Sequence, residues 1–194
     1  MDTLSTAKKI SIFITIVIIG SVIGALGSAT FPILKGIVPF WPAAAIQALS
    51  GILFGMTGVL AATIFPIISN SMSSNPPELV ILLIPPNLIQ AFFPFLVKKI
   101  TKFLPYKLNK KTVILFVVFC VIVPNVLGAL WVCNIKFFLV NGSPGITKLT
   151  IFFSWLKSNA IGGIIFGLLL LKTLAPALKN CGLYDNSDEE KNQI

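Results

Sequence analysis

Apolar residues dominate long stretches of this chain, and the few polar interruptions divide it into elements. A first apolar run covers Ile10 to Thr30, close to the ~20 residues that a helix needs to cross a bilayer. A proline-punctuated link from Phe31 to Phe40, containing Lys35, follows. Trp41 to Asn70 then holds 30 residues without a charge, too long for one ordinary span. Gly55-Met-Thr-Gly58 near its middle predicts two short spans joined by a tight turn. Ser69 to Pro77 reads as a polar loop. Leu79 to Val97 is a span interrupted at Pro85-Pro86, where the missing N–H groups free backbone carbonyls. Thr112 to Val132 and Leu149 to Leu171 complete the set, separated by a loop from Cys133 to Thr147 that carries Asn141-Gly-Ser-Pro-Gly145. The pattern predicts an all-α integral membrane protein: a six-transmembrane-helix bundle over residues 1–178 with both termini cytoplasmic, and a polar, solvated cytoplasmic tail over 179–194.

A mean hydropathy of +0.95 and only 11% charged residues agree, since a soluble domain needs far more charge to cover its surface. No cleavable signal peptide is evident, because the first apolar run is long enough to span by itself. All fifteen basic residues are lysines, and there is no arginine or histidine. Six of them fall between Lys98 and Lys111. With six spans and a cytoplasmic amino terminus, eleven lysines lie inside and four outside, as the positive-inside rule requires. Reading Trp41 to Asn70 as one span would separate the amino-terminal lysines from the central basic loop. The net charge of +9 is therefore read as membrane orientation and not as nucleic-acid binding.

Acidic residues decide what chemistry is open to the chain. Between Asp2 and Asp185 the only acid is Glu78, an exposed loop-end charge. Histidine-based and paired-carboxylate catalysis have no candidates, so an enzyme is not expected. Proton- or sodium-driven transport ordinarily uses intramembrane carboxylates, and none is available. No nucleotide-binding glycine loop occurs. Energy for uphill movement would have to come from a partner. Cys120, Cys133 and Cys181 fall at different depths, which suggests neither a disulfide framework nor a metal site, and no cofactor is implied.

The polar exceptions inside the spans carry the functional reading. Pro42-Ala-Ala-Ala-Ile46-Gln47-Ala48 recurs as Pro85-Pro-Asn87-Leu-Ile89-Gln90-Ala91, with looser echoes at Asn125-Val-Leu-Gly128-Ala129 and Asn159-Ala-Ile-Gly162-Gly163. At ~1.5 Å per helical residue, Gln47, Asn87, Asn125 and Asn159 all fall in the outer third to half of the bilayer. Trp155, Asn159, Gly163 and Gly167 form one stripe at four-residue spacing, and Gln47, Gly51 and Gly55 another. An amide facing lipid leaves donors and acceptors unpaired at a cost of several kcal/mol, so these side chains face protein or a cavity. They serve either as hydrogen-bonding glue between helices or as the lining of a ligand site. On the second reading Gln47, Asn87, Gln90, Asn125 and Asn159 bind the ligand, Trp155 stacks on it, and Lys157 either pairs with an anionic group or reaches to the headgroups. Trp41, Trp131 and Trp155 lie near the same rim, each a candidate interface anchor. On the first span, Gly20, Gly24 and Ser28, and also Ser21, Ala25 and Ala29, form small-residue faces that suit close helix packing, internal or with a partner.

Six spans, both ends inside, a small-residue first helix and a polar layer near the outer face resemble the substrate-binding S component of energy-coupling-factor (ECF) vitamin transporters. That resemblance implies a binding subunit for a small, neutral or anionic, ring-containing nutrient. It also implies a membrane coupling subunit docked on Ser21, Ala25 and Ala29, and partner ATPases. Phe40-Trp41-Pro42-Ala43-Ala44-Ala45-Ile46 with Leu53-Phe54-Gly55 is similar to the Trp-Pro segment of bacterial membrane-associated sensor domains. This likeness implies the alternative function, a membrane sensor or accessory protein acting through a separate cytoplasmic partner. Either way the expected location is the cell membrane, as a multi-pass protein in the lipid bilayer.

Overall fold

The computed structural model describes residues 4–30, 40–136 and 146–184. The link at 31–39, the loop at 137–145 with its Asn-Gly-Ser-Pro motif, and residues 185–194 lie outside the described residues, which are helical without strands. Helix α1 covers Thr6–Thr30, α2 Ala43–Met72, α3 Pro77–Leu82 and α4 Ile84–Thr101. Next come α5 (Lys110–Ile114), a π-helical stretch (Leu115–Ile122) and α6 (Val123–Val132), which together form one continuous rod. The last helix, α7, covers Lys148–Asn180. Five helical stretches among the described residues are long and apolar enough to cross a membrane: Thr6–Ser28, Ala43–Met72, Pro77–Thr101, Lys110–Val132 and Lys148–Asn180.

Helix α2 is not one rod. Gly55 has φ 58° and ψ −141°, a backbone conformation that residues with a Cβ rarely adopt. In a continuous helix Ser50 and Gly58 would stand about 12 Å apart. Here Gly58 lies directly against the Ser50 carbonyl, and the rings of Trp41 and Phe65 are 6.4 Å apart. The chain doubles back at Gly55, inside the segment where the sequence pattern predicts a turn. The second arm runs parallel to α1, with Gly20 against Phe65 and Gly24 against Ser69.

Proline explains the other breaks. Helix α3 stops at Leu82, and α4 starts with Pro85 and Pro86 in its first turn, where their missing N–H groups are tolerated. Pro86 leaves the Leu82 carbonyl without its helical donor, and the Trp131 indole Nε1 donates to that oxygen at 2.9 Å. The π-helical stretch ends at Ile122, two residues before Pro124 in the first turn of α6. A wider turn there accommodates the proline ring that would otherwise strike the preceding turn.

One end of the bundle gathers both described chain ends and the basic segment. Lys8 Nζ donates to the Gly182 carbonyl at 3.3 Å. Lys98 Nζ lies 4.4 Å from the centroid of the Tyr184 ring, and Lys179 Nζ 3.4 Å from that of Tyr106. Tyr106 and Tyr184 meet edge to face at 5.7 Å. The expected solvated tail is thus docked as far as Tyr184, which is buried. These tyrosines offer π faces to the lysines, and with few acids nearby the cations settle on them.

The outer surface is apolar as well as the core, and the core also holds amides. The outward faces carry Ile10, Ile14, Ile18, Val22 and Leu26 on α1, Met56, Leu60, Ile64 and Ile68 on α2, and Ile161, Ile165 and Leu169 on α7, all exposed. Gln47, Asn87, Gln90, Asn125 and Asn159 are buried. Apolar stripes at four-residue spacing pointing outward suit a lipid-facing surface.

Candidate functional site

The amide cluster is built from three helix contacts. In the first, the first arm of α2, before Gly55, and α4 run side by side in the same direction. Gly51 abuts the Ala91 carbonyl, and one turn earlier Gln47 Nε2 donates to Asn87 Oδ1 at 3.0 Å. Asn87 Nδ2 in turn donates to the Leu83 carbonyl at 2.7 Å. The two copies of the proline–amide repeat therefore pack against each other.

The second contact is the antiparallel seam between α7 and the rod of α5, π-helix and α6. Gly167 lies against Phe116, Gly163 against Val121 and Gly128 against Trp155. Asn125 is one turn beyond Val121, and Asn159 is one turn from Gly163 toward Trp155. This register sets the two asparagines opposite each other. Asn125 Nδ2 donates to the Val121 carbonyl at 2.8 Å, and Asn159 Nδ2 to the Trp155 carbonyl at 3.0 Å.

Gly128 joins these seams. A methyl group there would lie 3.2 Å from Trp155 Nε1, 3.4 Å from Pro86 Cβ and 3.6 Å from Gln90 Nε2. The third contact caps the cluster. Trp41 N donates to the Ser158 carbonyl at 3.2 Å, Gly162 sits against the Trp41 carbonyl, and the Trp41 indole donates to the Gly24 carbonyl at 3.4 Å. One residue thereby ties α1, α2 and α7 together beside Asn159.

Several buried polar atoms in this cluster have no hydrogen-bond partner: Gln47 Oε1, Gln90 Oε1 and Nε2, Asn125 Oδ1, Asn159 Oδ1 and Trp155 Nε1. Each carries a penalty of about 1–3 kcal/mol when left unpaired away from water. Interhelical glue would pair these atoms with one another. One such pair is made, from Gln47 Nε2 to Asn87 Oδ1, whereas Asn125 and Asn159 each give an amide N–H to a carbonyl of their own helix.

The candidate residues divide clearly. Gln47, Asn87, Gln90, Asn125, Trp155 and Asn159 are buried and belong to the connected seams. Lys157 is exposed. Two positions from both Trp155 and Asn159, it projects from another side of α7. Trp41 and Trp155 are buried packing residues where interface anchors were expected. Trp131 is half exposed, with its N–H committed to α3. On α1, Ser21 is buried and donates to the Phe65 carbonyl at 3.4 Å. Ala25 is partly buried, and the side chain of Ala29 lies outside the described residues. Ser21 therefore takes part in internal packing. Glu78 is exposed, as expected.

Comparison of the chain with protein-family models, curated proteins and solved structures finds no match.

Two participants escaped the sequence reading. Gly128 stood out only as a small residue, yet it is where Trp155, Pro86 and Gln90 meet. Ser158, buried beside Asn159, links α7 to Trp41 through its backbone, and a main-chain contact leaves no mark in the side-chain pattern. A separate apolar cavity of about 470 Å³ is lined by Leu82, Leu130, Trp131, Asn134, Ile135 and Lys136. It shares no residue with the amide cluster. Among the described residues no group of His, Cys, Asp or Glu could hold a metal ion.

Proposed function

We propose that this chain is a multi-pass cell-membrane protein that binds a small polar nutrient in the amide cluster and passes it inward with the help of an energy-supplying partner. In this reading the chain crosses the bilayer six times, the two arms of α2 counting as separate short crossings. The lysine-rich end with both chain termini faces the cytoplasm, in keeping with the positive-inside rule. The cluster then lies buried in the outer half of the bilayer. One observation carries the binding role: buried amides and an indole from four membrane-embedded segments hold polar atoms that the protein itself does not pair. A bound molecule that pairs them recovers the desolvation cost.

Partner-energised uptake follows from chemistry that the chain lacks. It has no buried carboxylate to carry a coupling proton or sodium ion, its one acid in a membrane-length stretch being Glu78 at the exposed start of Pro77–Thr101, and no phosphate-binding glycine loop. The resemblance to ECF-type S components points to the same division of labour, with a coupling subunit and ATPases as partners.

Purification in mild detergent from the native host, followed by mass spectrometry of bound proteins, tests this reading. Stoichiometric copurification of a membrane coupling subunit with ATPases is the expected result. A signalling kinase or cyclase as the sole stable partner would replace uptake with sensing.

A further inference from the structure

We infer that the cavity between the α3–α4 junction and the end of α6 holds one anionic phospholipid of the surrounding bilayer. An acyl chain lies against its apolar wall, and the phosphate sits between Lys136 and Lys148. The inference stands apart from the amide cluster, with which the cavity shares no residue, and needs only that the chain resides in a membrane.

A proline braces this wall. Pro86 leaves the Leu82 carbonyl without a helical donor, and Trp131 Nε1 takes that place at 2.9 Å. The bond ties α6 to the α3–α4 junction and spends the indole N–H, while the ring stays half exposed. Leu82, Leu130 and Trp131, all exposed, and the buried Ile135 then enclose about 470 Å³ of largely apolar space, a volume typical of small-molecule sites. Depth follows from the rod that carries Trp131. From Lys111 it runs without a break to Trp131, roughly 30 Å at ~1.5 Å per residue, which matches the thickness of a hydrocarbon core. With Lys111 in one headgroup layer, Trp131 lies at the boundary of the other, where half-exposed indoles are favoured. The apolar wall is thus at acyl-chain depth, and Asn134 and Lys136 are at headgroup depth.

The polar rim selects the headgroup. Lys136 lines the cavity and is exposed. Lys148 Nζ donates to Asn134 Oδ1, on the same lining, at 2.7 Å. Asn134 spends its own Nδ2 on the Leu130 carbonyl at 2.8 Å, which aims its oxygen at the lysine. A second ammonium is thereby held at the mouth with two N–H groups to spare. Neither lysine forms an ion pair with a carboxylate among the described residues. Glu78, one turn before Leu82 on α3, balances at most one of the two charges. A phosphate accepts from both ammoniums, and an anionic headgroup, unlike a zwitterionic one, brings no cation of its own to a mouth that is already positive. Free phosphate would leave the apolar wall bare. A bilayer lipid supplies chain and anion together.

Trp131 gives a local readout, because Trp41 and Trp155 are buried. The full chain is reconstituted in phosphatidylcholine vesicles, and lipids brominated on their acyl chains are added to quench any indole they touch. Trp131→Phe defines the Trp131 share of the emission. Brominated phosphatidylglycerol should quench that share at a mole fraction at least fivefold lower than brominated phosphatidylcholine does. Lys136→Gln combined with Lys148→Gln should abolish the preference without moving the thermal midpoint, and Lys136→Gln alone should at least halve it. Lys99→Ala with Lys111→Ala, at the other end of the bundle, should leave it intact. Glycerol 3-phosphate, a headgroup without chains, should not relieve the quenching at matched concentration. Equal quenching by the two lipids, a preference that survives loss of both rim lysines, or relief by glycerol 3-phosphate overturns the inference. So does absence of quenching by either lipid, the result expected if protein fills the cavity.

Discussion

The seam between α7 and the π-helical rod is used in two ways along its length. In the half nearer the chain ends, Gly163 and Gly167 receive Val121 and Phe116, and the contact is apolar and filled. One or two turns further, the same helices set Asn125 against Asn159 and Gly128 against Trp155, and polar atoms are left without partners. A glycine receives a large side chain from the facing helix in both halves, although the rod is π-helical in the first and α-helical in the second. Side-chain chemistry differs as well: the first half is filled with apolar contacts, and the second keeps buried polar atoms that the protein does not pair. Regions that depart from full internal satisfaction are where function is expected.

Three substitutions can break or sharpen that contrast. Phe116→Ala acts on the filled half. It empties a fully buried site against Gly167, and losses for such truncations run to about 3–5 kcal/mol. Thermal unfolding in detergent should show a large drop in midpoint, and a drop no greater than that of Asn125→Leu would erase the distinction. Gly163→Ala is milder. Its added methyl would lie 2.8 Å from Val121 Cγ1, and overpacking of this kind costs about 1–3 kcal/mol. The same melt should register it, with ligand retention falling only as far as the fold does. Asn125→Leu belongs to the unpaired half and should have the smallest effect on stability. The substitution removes an unsatisfied oxygen along with a local hydrogen bond, so unfolding should shift by less than about 1 kcal/mol in either direction. Ligand retention should nevertheless fall at least tenfold. A stability loss matching that of Phe116→Ala would make Asn125 a packing residue.

Much of the fold was legible from spacing. The turn expected within Gly55-Met-Thr-Gly58 falls at Gly55, because a charge-free stretch of that length must break somewhere and glycine alone tolerates the backbone conformation found there. The interruption at Pro85-Pro86 appears as the junction of α3 and α4. The Trp155–Asn159–Gly163–Gly167 stripe lies on one buried face, as four-residue spacing requires. Helical geometry also separates Lys157 from that face, which leaves it exposed, as the reading in which it reaches to the headgroups expects. Less could be read of the tryptophans. Trp41 turns inward because Gly24, Gly27 and Gly162, distant in sequence, leave room for it and its backbone. Ser21, on one small-residue face of α1, is likewise engaged by the backbone of Phe65, 44 residues away.

The sequence by itself determined a helical, lipid-compatible chain whose interior polarity is almost wholly neutral, because composition and periodicity act locally and need no knowledge of neighbours. Only the tertiary structure decided which amide atoms are committed and which remain open. That outcome depends on the register of α7 against α6 and of α2 against α4. Register is set by the packing of glycines, Val121, Phe116 and Trp155 across segments far apart in the chain, and no local pattern encodes it.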